Sequence, residues 1–219
     1  PRASVTAFSQ QLDDRVPRLM DRYDIPGVSI AVVENRELAW AGAYGYADLA
    51  EARPMTTDAV CRAESISKSV TARGVMKLME EGRIDPDAPV ERYLESIDIP
   101  DGRFAASGVT VARLLSNTAG LPLGRVGPAV EYAPGSEMPS KRSYLAEEVR
   151  LVQEPGTGFI YSNVGFNLLE LVVENVTGQR FESYMKEAVL EPLGMRDASY
   201  AWEERMAALM PTGYELDGT

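Results

Sequence analysis

The chain has 219 residues, 45% of them hydrophobic, which suits one sizeable packed domain or two small ones and argues against disorder. A formal net charge of -11 disfavours nucleic acid and anionic membrane surfaces as partners, and no apolar run reaches the roughly 18 residues that a membrane-spanning helix needs. With no histidine and one cysteine, the chain can form no intrachain disulfide, is not expected to hold structural zinc, and cannot use an imidazole base.

Residues 5–23 carry Phe8, Leu12, Val16 and Leu19 at helical spacing, with Pro17 expected to kink or divide the helix. Ile25-Pro26-Gly27 breaks the pattern. Residues 28–33 read as a buried strand, 34–37 as a polar turn and 38–46 as the return strand of a hairpin. Cys61 reads as a small buried hydrophobe ahead of the next helix. That helix carries Ile66, Val70, Val75, Leu78 and Met79, and Gly82 marks its stop.

Thr110 is expected to cap a short helix containing Val111, Leu114 and Leu115. Residues 120–139 are rich in Gly and Pro, and their length suggests an active-site wall. Further helices are expected over 143–152, over 164–176 with Gly178 at its end, and over 179–190. Beyond Tyr200 the pattern fades. Strands therefore occur only early, and everything after Ser65 is mostly helical.

Chemistry concentrates in a few short patterns. In Ser65-Ile66-Ser67-Lys68 the serine and lysine stand at i and i+3, on one face of a helix. A serine needs a base to take its proton, and without histidine the lysine is the best-placed group. The positive end of a helix favours an alkoxide and suits a lysine that acts as a neutral base. The Ser65 backbone N–H, free at a helix start, could donate to an oxyanion.

Tyr161-Ser162-Asn163 follows a Pro-Gly turn; its phenol suits proton transfer and its amide suits binding of a carbonyl or amide. The third stretch, residues 114–122, is a helix ending in the polar turn Ser116-Asn117-Thr118. Each pattern also has an ordinary reading. Ser-x-x-Lys recurs at Ser183 and Lys186, where it reads as a solvated helix face, and a tyrosine is more often a core residue with a bonded hydroxyl.

Taken together, residues 62–72 resemble the nucleophile helix of the serine β-lactamase and penicillin-binding-protein superfamily, in its class C β-lactamase, D-alanyl-D-alanine carboxypeptidase and family VIII esterase branch. Residues 114–122 resemble a landmark of that branch, with Asn117 where a histidine is usual. Residues 154–165 resemble its second catalytic motif, and Val176-Thr177-Gly178 and Glu191-Pro192-Leu193-Gly194-Met195 its following helices. The likeness runs in order from about Ile25 to Tyr200.

The resemblance implies an α+β fold, an antiparallel sheet flanked by helices plus a mostly helical subdomain. It suggests residues 1–64 for the N-terminal helix and hairpin and 65–219 for the helical part. It implies Ser65 as the acylated nucleophile, Lys68 as general base, Tyr161 as proton relay, Asn163 as substrate-orienting residue and the Ser65 N–H as half of the oxyanion hole, with no metal or cofactor. It assigns no catalytic role to Asn117.

The family's third motif, Lys-Thr-Gly or His-Thr-Gly on a strand, has no match; Pro211-Thr212-Gly213 is the nearest and falls too early. The family's C-terminal strands and helix are likewise expected beyond this sequence, supplied by a second polypeptide segment or chain. Without them the hairpin keeps an open edge. The resemblance implies a serine hydrolase acting on a small ester or amide through an acyl-enzyme, an esterase or peptidase rather than an efficient β-lactamase. A transacylase with the same residues, and a non-catalytic sensor or binding module, are the alternatives. The sequence fits a soluble protein, exported or cytoplasmic alike.

Overall fold

A computed structural model describes residues 2–95, 97–125 and 140–214. The chain divides into two compact units, residues 1–62 with 202–219, and residues 63–201.

The first unit opens with helix α1 (Arg2–Tyr23), which continues through Pro17. Its buried residues are Val16 and Met20, not the Phe8 and Leu19 of the sequence pattern. Strands β1 (Gly27–Glu34) and β2 (Glu37–Asp48) form the expected antiparallel hairpin. Asn35 and Arg36 both take positive φ at its tip, which matches the right-handed twist of the flanking strands. A two-residue strand, β3 (Arg53–Pro54), adds to β2, giving the order β1-β2-β3. The Tyr44 hydroxyl donates to Asp13 Oδ1 (2.7 Å) and ties α1 to β2.

Sequence reading grouped residues 202–214 with the helical part, but their backbone bonds are to this unit. Thr212 N–H donates to Ala47 O (2.8 Å), Val60 N–H to Leu209 O (3.1 Å) and Arg53 Nη2 to Met210 O (2.9 Å). Such pairings join residues far apart in sequence and leave no periodic trace. Cys61 is exposed, not buried, because it lies in an irregular segment outside any packed element.

The second unit is helical. Helix α2 (Ser67–Glu80) buries Thr71, Gly74, Val75 and Leu78. Ile66, expected on the same stripe, is 72% exposed. The 3₁₀ turn over Glu64–Ile66 precedes the α-helix, and its tighter repeat puts Ile66 out of phase. Thr110 caps α3 (Val111–Leu115) as expected, accepting from Arg113 N–H. Helix α4 spans Lys141–Glu148 and starts earlier than expected because Ser140 caps it, accepting from Ser143 N–H (3.1 Å).

Helix α5 (Asn163–Thr177) is the centre of this unit, with Val164, Leu168, Leu169, Leu171, Val172 and Val173 buried. Gly178 follows it in the left-handed conformation (φ 72°) that ends many helices. Lys141 pairs with Glu170 and lies 3.5 Å from Glu174, fastening α4 to α5. Helix α6 (Phe181–Met185) gives way to a π-helical turn over Lys186–Leu190. Ser183 and Lys186, the second Ser-x-x-Lys, are both exposed.

Among the described residues no helix is long and apolar enough to cross a membrane. Most of the Gly/Pro-rich segment, 126–139, lies outside the described residues.

Gly120 binds two parts of this unit together. Its carbonyl accepts from Val152 N–H (2.9 Å), it has φ +77°, and a Cβ there would stand 2.1 Å from the Gln153 carbonyl oxygen. Gly120→Ala therefore combines backbone strain with a clash against main chain. It is expected to destabilise by about 2–4 kcal/mol, read as a lower Tm in thermal denaturation. An unchanged Tm would show that this turn yields freely.

Candidate active site

Ser65 sits in the 3₁₀ turn Glu64–Ile66, one residue before α2 begins. The turn closes with Ile66 N–H donating to Ala63 O (3.1 Å). Glu64, immediately before Ser65, takes φ +46°, a left-handed conformation that costs a non-glycine residue about 1–2 kcal/mol. Strain of this kind beside an exposed serine is a signature of functional turns.

Lys68 Nζ donates to Ser65 Oγ at 3.1 Å. The same amine lies 4.8 Å from the centre of the Tyr161 ring and 5.7 Å from that of Phe166. Tyr161 is 38% exposed. Interaction of its phenol oxygen with the Lys68 amine, and then with Ser65, holds its pKa below the ordinary value, against a smaller opposing effect of burial. Ser65, Lys68 and Tyr161 thus stand together, with Lys68 bonded to Ser65 and lying over the Tyr161 ring. Asn163 is the first residue of α5, two positions beyond Tyr161, and is half-buried.

The cluster needs α2 and the Tyr161 segment to be held still. The Tyr200 hydroxyl donates to Ser67 O (2.9 Å) and lies 3.1 Å from Thr71 Oγ1. The Tyr184 hydroxyl donates to Gly74 O (3.0 Å). At Gly74 a Cβ would come within 2.5 Å of Met185 Sδ, so α2 and α6 approach as closely as a glycine allows.

Tyr161 is fixed from the other side by residues 117–123. Ile160 N–H donates to Asn117 O (2.9 Å), Ser162 N–H to Asn117 Oδ1 (2.9 Å) and Asn163 N–H to Leu123 O (3.0 Å). Ser162 Oγ donates to Pro122 O (2.6 Å) and accepts from Gly165 N–H (2.9 Å), so it caps α5 while anchoring its start. The sequence pattern assigns Ser162 no role of its own. A serine just before an apolar helical run is a cap signal that would have found it.

Among the described residues, no group of three or more His, Cys, Asp or Glu side chains is placed to hold a metal. The arrangement suits proton transfer between an alcohol, an amine and a phenol.

The class that this turn, helix and tyrosine define is the serine β-lactamase and penicillin-binding-protein superfamily. The family model described as Beta-lactamase matches residues 12–218, and the chain belongs to that family. The chain is 28% identical over 223 residues to "Protein flp" of Staphylococcus aureus (strain COL), covering 96% of this chain and 42% of that protein. It is 30% identical, with a TM-score of 0.81, to an octameric penicillin-binding protein homologue from Pyrococcus abyssi, covering 96% of this chain and 49% of that one. A class C β-lactamase shares the fold at a TM-score of 0.80 and 21% identity, over 99% of this chain and 57% of that one. The chain therefore spans about half the length of the relatives it matches.

The direction of the Tyr161 shift is directly testable. A difference titration of wild type against Tyr161→Phe should show this phenol ionising below the usual value of about 10. In Lys68→Met the leading cause of the lowering is gone while burial remains, so the value should rise. A titration unaffected by Lys68→Met would show that the amine does not hold the phenol down.

Proposed function

We propose that this protein is a serine hydrolase that cleaves esters or amides through an acyl-enzyme at Ser65. The observation that carries this reading is the cluster itself: Lys68 Nζ stands 3.1 Å from Ser65 Oγ and 4.8 Å from the centre of the Tyr161 ring.

In the acylation step Ser65 Oγ attacks the substrate carbonyl carbon as Lys68, in its neutral form, takes the hydroxyl proton. A bond forms between Oγ and carbon, and the carbonyl electron pair moves to oxygen. The Ser65 N–H, at the start of the helical segment, donates to that oxyanion. Tyr161 gives its proton to the departing alcohol or amine as the bond to carbon breaks, which leaves a phenolate beside protonated Lys68. In the second half the Tyr161 phenolate takes a proton from water, the water oxygen bonds to the acyl carbon, the bond from carbon to Oγ breaks, Oγ recovers the proton held on Lys68, and the acid product leaves. Asn163 orients the substrate through its amide.

Within this reading an ester or peptide is favoured over an antibiotic lactam, with Tyr161 as the deacylating base. The family's second oxyanion donor and third motif belong, in this reading, to the part of the relatives' length that this chain does not span.

Labelling with a fluorophosphonate probe, followed by intact-mass analysis, tests the nucleophile. Wild type should gain one adduct, and Ser65→Ala none. Lys68→Arg should slow labelling by about 100-fold or more, since a guanidinium stays protonated and cannot accept the hydroxyl proton. Undiminished labelling of Ser65→Ala would refute the assignment of the nucleophile, and wild-type rates in Lys68→Arg would remove the lysine as base.

A further inference from the structure

Asn117 ends helix α3 in a way that a glycine would do at less cost. Asn117 N–H donates to Leu114 O (3.1 Å) and Thr118 N–H to Arg113 O (2.8 Å), a paired closure that requires a left-handed residue at Asn117, here with φ +56°. Glycine is the usual occupant of such a position. What asparagine adds is a side-chain acceptor, and that acceptor has one described use. Asn117 Oδ1 takes the N–H of Ser162, while the Asn117 backbone carbonyl takes the N–H of Ile160, both at 2.9 Å. Ile160 and Ser162 are the two neighbours of Tyr161. One residue therefore grips the backbone on both sides of the phenol-bearing residue.

We propose that Asn117 is a positioning residue for the reaction: through its backbone carbonyl and Oδ1 it fixes the main chain around Tyr161 and so sets the phenol against Lys68 and Ser65. The inference rests on the proposed role of Tyr161. The remaining ties, Ser162 Oγ to Pro122 O and Asn163 N–H to Leu123 O, lie on the helix side of Tyr161 and hold the start of α5. Loss of the Asn117 acceptor leaves the N–H of the buried Ser162 without that partner and frees the peptide between Tyr161 and Ser162 to turn. A small shift of a proton-transfer group is costly, since reacting atoms must meet within hydrogen-bond reach.

The same geometry has room for a histidine acceptor in place of Asn117. A neutral imidazole carries its Nδ1 at the same branch position as Asn Oδ1, and Nδ1 accepts a hydrogen bond when the proton is on Nε2. Histidine also tolerates the left-handed region better than most residues. Protonation would turn Nδ1 into a donor and abolish the contact.

The test uses the full chain with the fluorophosphonate probe, and reads both the labelling rate at Ser65 and the Tyr161 difference titration. Asn117→Gly keeps the left-handed backbone and the main-chain carbonyl but removes the side-chain acceptor. It should slow labelling by about tenfold or more and move the Tyr161 pKa up toward its ordinary value, because the phenol no longer meets Lys68 squarely. Asn117→His should label at close to the wild-type rate above the imidazole pKa and lose that rate as pH falls through it, a pH limb that wild type lacks.

Wild-type labelling and titration in Asn117→Gly would overturn the proposal. So would slower labelling with the Tyr161 titration unmoved, since the loss would then bypass the phenol. If Asn117→Gly fails to fold, the pH limb of Asn117→His decides alone, and its absence overturns the proposal. Tyr161→Phe separates the two readings. Undiminished labelling in that variant would defeat the relay role of Tyr161, while the titration would still report whether Asn117 positions it.

Discussion

The amine of Lys68 lies against the ring of Tyr161, and that contact depends on α2 and α5 sharing one hydrophobic core. Val75 and Leu78 of α2 and Leu168, Leu169 and Val172 of α5 belong to the same buried cluster. Burial of each such side chain contributes on the order of 1.5–3 kcal/mol, so the two helices cannot slide without losing several of these contributions. Directional bonds refine what the apolar packing sets roughly. Tyr184 and Tyr200 place hydroxyls on α2 carbonyls, and the 117–123 turn binds the start of α5. Core packing brings the two helices together, and the hydrogen bonds give them their register.

The chain has no histidine, and here an amine, a phenol and an alcohol stand close together: Lys68 bonds Ser65 Oγ and lies over the Tyr161 ring, a neighbourhood that favours a lowered phenol pKa. Charged lysine beside phenolate and neutral lysine beside phenol differ only in where one proton sits. In the proposed reaction such a pair takes a proton from Ser65 and returns it to a leaving group without either member moving far. The left-handed backbone at Glu64 and the exposure of Ser65 suit the role proposed for Ser65, since a nucleophile must be presented to solvent at a defined angle.

The ordinary elements of the scaffold serve this presentation. Residues 118 and 120 accept from the segment that leads to Tyr161, through Gly156 N–H to Thr118 O and Val152 N–H to Gly120 O. The segment thus wraps around the turn that ends α3. Its irregular backbone is satisfied by that turn rather than by a regular helix or sheet, as buried main chain requires.

What the amino-acid order settled on its own is local. The Asn35-Arg36 hairpin tip, the Thr110 and Gly178 caps, the apolar stripe of α5 and the i, i+3 spacing of Ser65 and Lys68 are each decided within a few residues, by backbone preference and helical period. The resemblance in several ordered segments added the α+β fold and membership of the family. Tertiary structure decided the rest. Ile66 faces solvent because a 3₁₀ turn shifts its phase, Met20 replaces Leu19 in the face of α1 that is buried, and residues 202–214 pair with the hairpin unit. Asn117 reads as a helix stop in one dimension and gains its second role only when Ser162 is folded against it. A side-chain acceptor has no period and no fixed sequence distance to its donor, so only the packed chain reveals which N–H it receives.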